Sequence, residues 1–110
     1  MYHVTVEELA NYLELENLTP EIPFKERKIT ESDVNRPALQ LAGFFKHFDS
    51  DRLQIIGKVE NRFLQEIEDE NERKKRIRRF MAYTQIPCII FCRKEVRPDP
   101  QFGKCLHSLV

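Results

Sequence analysis

Apolar residues along this chain recur first at helical spacing, then in short extended runs, and the two periods keep alternating. Val6, Leu9, Ala10 and Leu13 form one stripe, and Thr5-Val-Glu-Glu8 ahead of it is a capping box in which Thr5 accepts from the N–H of Glu8 while Glu8 reaches back to Thr5. The pattern predicts a helix from Val6 to Leu13. Leu15 and Leu18 then flank a short extended segment. Pro20 and Pro23 open a loop, and Lys25, Glu26, Arg27 and Lys28 form a solvated charge cluster. Ile29-Thr-Glu-Ser-Asp-Val34 reads as one short strand.

The stretch from Ser32 to Asp49 organises the middle of the chain. Pro37 fits the first position of a helix, where its missing N–H costs nothing. Arg36, pushed out of the helical region by that proline, fits the cap. Ala38, Leu41, Ala42, Phe45 and Phe48 continue at helical spacing, predicting a buried helix from Pro37 to near Phe48. Gly43 inside it costs about 1 kcal/mol relative to alanine, which close packing on a neighbouring backbone would explain. Asp49-Ser50-Asp51 then supplies turn chemistry.

Leu53, Ile55 and Ile56 make a strand closed by Gly57. A helix comes next, with Val59, Phe63, Leu64 and Ile67 as its apolar face. A second helix is predicted from Asp69 to Tyr83. Its acids come first and its bases last, matching the helix dipole, with Glu70–Lys74 and Glu72–Arg76 as i,i+4 pairs and Ile77, Phe80 and Met81 as its buried face. Ile86-Pro-Cys-Ile-Ile-Phe-Cys92 is continuously apolar and reads as a strand buried on both faces, with Pro87 at its start. Arg97-Pro-Asp-Pro100 is a turn, and the last ten residues read as the start of a helix. The alternation defines an α/β class: a small mixed sheet with helices packed on it.

Length and charge narrow the function. The 110 residues suit one domain, and 18 basic against 18 acidic residues give no general pull toward nucleic acid or anionic membrane. No apolar run approaches the roughly 20 residues of a membrane helix, and the N-terminus lacks the basic flank and apolar core of a signal peptide, so a cytoplasmic location is expected. Cys88 and Cys92 on one strand would lie roughly 13 Å apart, too far for a disulfide, and an odd total of three agrees.

Three segments carry a family resemblance. Ser32-Asp-Val-Asn-Arg-Pro-Ala-Leu-Gln-Leu-Ala-Gly-Phe-Phe45 resembles the signature of the N-terminal domain of bacterial HPr kinase/phosphorylase. Arg52-Leu-Gln-Ile-Ile-Gly57 with Glu60, and Tyr83-Thr-Gln-Ile-Pro-Cys-Ile-Ile-Phe-Cys-Arg93, are similar to that domain in the same order. The resemblance runs from about Val4 to about Pro100. It implies a fold similar to the substrate-binding domain of Mur ligases, and an enzyme that uses ATP and magnesium to phosphorylate a serine of the phosphocarrier HPr, and reverses that step, in carbon catabolite control. It also implies a partnership with HPr and with a C-terminal kinase domain, and homo-oligomers in the full-length protein. In that family the nucleotide site and catalytic residues belong to the C-terminal domain. Residues 1–100 are therefore expected to be the N-terminal regulatory or assembly domain. Residues 101–110 are expected to be a truncated or divergent tail, with the P-loop kinase domain absent. A fragment, a truncated gene product and a shortened paralogue all fit.

The residues agree that catalysis is not written here. A P-loop needs a glycine-rich cradle, then lysine and a hydroxyl, whereas Gly103-Lys104 is followed by Cys105 with no glycine five residues earlier. No catalytic, cofactor-binding or metal residue is assigned, and no cofactor is expected in this chain. Cys105 and His107 lack the partner spacings of a zinc site, and Cys88 reads as a buried, inert thiol. Arg73 to Arg79 offers a nucleic-acid contact, disfavoured by the acids before it and by the lack of interleaved aromatics. The polar loop Ser32, Asp33, Asn35 and Arg36 has two readings. It is a site for a small anion, nucleotide or partner ahead of a helix N-terminus, or a set of turn and cap bonds with Arg36 paired locally.

Overall fold

The computed structural model describes residues 3–22, 27–92, 98–99 and 101–103, and the backbone of 105–107. Lys25, Glu26 and parts of the 97–100 turn lie outside the described residues. In chain order the elements are β1 (Val4–Thr5), α1 (Val6–Leu13), β2 (Glu16–Asn17), β3 (Lys28–Ile29), β4 (Val34–Asn35), α2 (Ala38–Leu41), β5 (Leu53–Ile56), α3 (Lys58–Gln65), α4 (Glu70–Met81), β6 (Ile89–Phe91) and β7 (Cys105–His107).

Five strands make one mixed sheet in the order β2-β7-β6-β5-β4, and β1 and β3 form a separate antiparallel pair. Within the large sheet β4, β5, β6 and β7 run parallel, and β2 alone is antiparallel, against β7. Ile55 faces Ile90 and Ile56 faces Phe91 across the central pair. Side chains alternate across a strand, and the core divides accordingly. Ile56, Ile89 and Phe91 join Leu41, Leu64, Ile77, Phe80, Ile86 and Phe102 in one cluster. Leu53, Cys88 and Ile90 join Val6, Ala10 and Ile29 in the other. Helices α2 to α4 therefore cover one face, while α1 and the β1–β3 pair cover the other.

Helix α1 forms as its capping box dictates, with the Glu8 amide donating to Thr5 Oγ1 at 3.1 Å and the Thr5 amide donating to Glu8 Oε1 at 3.3 Å. Asp69 caps α4 through the Asn71 and Glu72 amides, and the two expected ion pairs form, Lys74–Glu70 at 3.1 Å and Arg76–Glu72 at 3.0 Å.

Four expectations are corrected. The helix after Pro37 is a single turn, Ala38–Leu41, not a run to Phe48. It stops because Gly43 adopts φ +105° and His47 φ +62°, left-handed conformations that a helix cannot continue through. A Cβ on Gly43 would meet nothing within 4 Å, so its conformation, not close packing, calls for glycine. Phe45 and Phe48 still reach the core, now from a loop, by stacking on Tyr83 and packing against Phe80. Second, the expected strand from Ile29 to Val34 is two strands in different sheets, β3 and β4. Third, α3 turns Val59 outward, 67% exposed, and buries Glu60 in its place. Fourth, the tail forms β7, inside the sheet, where a helix was expected.

Phe80 is fully buried and touches Phe48 and Phe102. Phe80→Ala is expected to cost about 3–5 kcal/mol in denaturant unfolding. A loss below about 1 kcal/mol, the range of surface changes, would place the core elsewhere.

Candidate functional site

The polar loop ahead of α2 meets the start of α3 through one ion pair. Arg36 donates from Nη2 to Glu60 Oε1 at 2.8 Å and from Nε to Oε2 at 3.1 Å, a two-pronged guanidinium–carboxylate contact. Glu60 Oε1 also accepts the buried Gly57 amide at 2.8 Å. That bond is half of a capping box, in which the third residue of the helix reaches back to the cap. A Cβ at Gly57 would sit 2.6 Å from Arg36 Nη2, so a larger residue there has to push the guanidinium aside.

The pair is lopsided in exposure. The Glu60 side chain is 4% exposed and that of Arg36 56%. Burial pushes the Glu60 carboxyl up, but hydrogen bonds from Arg36 and from the Gly57 amide outweigh it and hold it below the usual carboxylate range. The hydrogen bond and charge of Glu60 in turn raise Arg36. Burial pushes the neighbouring Cys92 thiol up, opposed by the Arg36 charge, so it stays protonated at neutral pH.

A second set of bonds runs beside the first. Asn35 donates to Gln54 Oε1 at 2.7 Å and to Gln40 Oε1 at 3.2 Å. Gln54 is fully buried and donates onward to the Arg52 carbonyl at 2.8 Å. Side-chain amides thus tie β4 to β5 and to α2, filling a polar gap that a sheet of only two paired residues leaves.

The four residues of the predicted loop do not gather at one point. Ser32 is exposed, and Asp33, also exposed, lies 4.0 Å from Arg52. Asn35 turns to the amide network and Arg36 to Glu60. The partner that reasoning from the residues missed is Glu60. The spacing Gly57-x-x-Glu60 carried its signal, masked by the apolar stripe assigned through Val59. Among the described residues no group of three or more His, Cys, Asp or Glu could hold a metal ion, and no helix is long and apolar enough to cross a membrane. In the basic run of α4, Arg73 bonds to Asp99 at 3.4 Å, Lys74 to Glu70, Arg76 to Glu72 and Arg78 to Gln101 at 2.9 Å, so most of its cations are engaged within the chain.

These features define a class: a small α/β domain with a parallel central sheet, its first strand–helix junctions riveted by polar side chains. Comparison with known proteins places it more closely. The chain belongs to the family described as HPr Serine kinase N terminus, which matches residues 4–108. It is 48% identical over 93 residues to an HPr kinase/phosphorylase of Lachnoclostridium phytofermentans, covering 84% of this chain and 29% of that protein. Proteins of the same name from Alkaliphilus metalliredigens and Clostridium botulinum (strain Eklund 17B) are 46% identical over 93 residues and 43% over 101, the latter covering 92% of this chain and 32% of the relative. The chain thus spans about three tenths of the length of these curated relatives. The three resembling segments become neighbours in space: they supply β4 with Arg36, β5 with Gly57 and Glu60, and β6.

Two outcomes test the ion pair. Glu60→Ala strands the buried Gly57 amide and is expected to cost about 1–3 kcal/mol in chemical unfolding at neutral pH. Because the folded Glu60 sits below its unfolded value, its contribution is fully present above the usual carboxylate value, about 4.3, and is lost as pH falls below it through the lower folded value. Gly57→Ala should displace Arg36 and move the Glu60 titration, followed by carboxyl NMR, upward; an unmoved titration would refute the pairing.

Proposed function

We propose that this chain is the N-terminal, non-catalytic part of an HPr kinase/phosphorylase and serves it in regulation or assembly. One observation carries the reading: identity of 43–48% with proteins of that name over 84–92% of the chain, which itself spans only about three tenths of them. On this reading the domain works in the cytoplasm. Its partners are a C-terminal kinase domain, HPr and further copies of the same protein, and ATP and magnesium are used outside these 110 residues. Nucleic acid is not among its partners, since the bases of α4 are largely answered by the chain's own Asp99, Glu72, Glu70 and Gln101.

A second reading, a binding module at Ser32, Asp33, Asn35 and Arg36, has one observation in its favour. The Arg36 side chain is 56% exposed even while it holds Glu60. An anion there would share the guanidinium with a carboxylate already in place, which favours the first reading.

The purified chain, incubated with HPr and magnesium-ATP, is expected to yield no phosphoserine. Transfer by this chain alone would overturn the proposal. Saturable binding of a nucleotide or sugar phosphate that disappears in Arg36→Ala, with the fold retained, would move the assignment to the second reading.

A further inference from the structure

Between α4 and the 40–45 segment lies a half-open cleft of about 160 Å³. Lys75, Arg76, Arg79 and Glu72 line its helical wall; Gln40, Gly43 and Phe45 are on the other. Its charges do not cancel. Glu72 is spent on Arg76 at 3.0 Å, while among the described residues neither Lys75 nor Arg79 has a hydrogen-bonding or ionic partner. These two cations lie one helical turn apart and so share a face. Arg79 is nevertheless held in place: its guanidinium carbon sits 4.5 Å over the centre of the Phe45 ring, and Phe45 is stacked on Tyr83 at 5.2 Å. That contact fixes the guanidinium beside the ring, and among the described residues its N–H groups have no hydrogen-bond acceptor.

We propose that this cleft binds a small phosphate-bearing dianion through Lys75 and Arg79, with Arg76 held in the wall by Glu72 and the Leu41 carbonyl. Two unanswered positive charges match the charge of a phosphate or phosphate monoester, and a planar guanidinium matches its oxygens in pairs. The cleft is similar in volume to a cavity of about 150 Å³ that takes up benzene, room for a phosphate with a short body. A nucleic-acid strand would need a longer track of open cations, whereas Arg73, Arg76 and Arg78 on the same helix are already bonded.

The test titrates inorganic phosphate, and separately glycerol phosphate, into the 110-residue chain at constant ionic strength, following backbone amides by NMR. Saturable shifts confined to residues near 40–45 and 72–79 are expected. Tighter binding of the ester assigns the cleft to an organic phosphate, and equal binding to free phosphate. Lys75→Gln and Arg79→Gln should each weaken binding about tenfold, the loss of one charge-assisted bond. Both side chains are exposed, so circular dichroism should show the fold retained. Arg78→Gln removes the same charge from the same helix outside the cleft and should leave affinity unchanged. An equal loss in Arg78→Gln, or no saturable shift with either probe, would overturn the proposal.

Discussion

Strand β6 has no face to spare. Ile89, Ile90 and Phe91 are all buried, and the strand has a parallel neighbour on each side. A strand covered on both faces needs apolar partners above and below it, and the chain supplies them from opposite ends. The N-terminal helix and the small β1–β3 pair close one side, and the three later helices close the other. The aromatic residues cluster on the second side because three helices and the tail meet there, with Phe80, Phe91 and Phe102 in edge contact.

A sheet this narrow cannot be held by its ladders alone, since β4 offers only two residues for pairing. Polar side chains make up the difference at that edge. Gln54 lies fully buried in a strand between apolar neighbours, a position that would be costly without the Asn35 and Arg52 partners it finds. Glu60 repeats the pattern one element later, its carboxylate satisfied by a guanidinium and an amide. Gln54 pairs with Asn35 at the end of β4, and Glu60 lies in the first turn of α3, so polar satisfaction and chain direction are fixed together.

Much of this was legible from the residues. The capping box of α1, the i,i+4 pairs of α4 and the doubly buried strand are local, and local rules decided them. What local rules could not decide was direction. Val59 and Glu60 are adjacent on α3, and periodicity turned the valine inward, whereas the nearby Arg36 made the glutamate the better buried residue. The long helix after Pro37 failed for a related reason: Phe45 and Phe48 reach the core at helical intervals in sequence, but through a left-handed break at Gly43. The candidate loop was legible as polar and positioned before a helix. That its Asn35 and Arg36 would go separate ways depended on Gln54 and Glu60, some twenty residues distant.

The strand order bears on how the chain is made. Strand β2 joins the large sheet only through β7, so a segment near residue 16 waits for a partner near residue 106. On a ribosome the early helix and its small antiparallel pair can assemble first, while β2 stays without a neighbour until β7 has emerged. Closing that long loop is entropically slow and comes late. The far edge of the sheet is thus completed by the last of these strands to be synthesised, and any shortening of the chain before β7 would leave both β6 and β2 with a bare edge, open to pairing with another molecule.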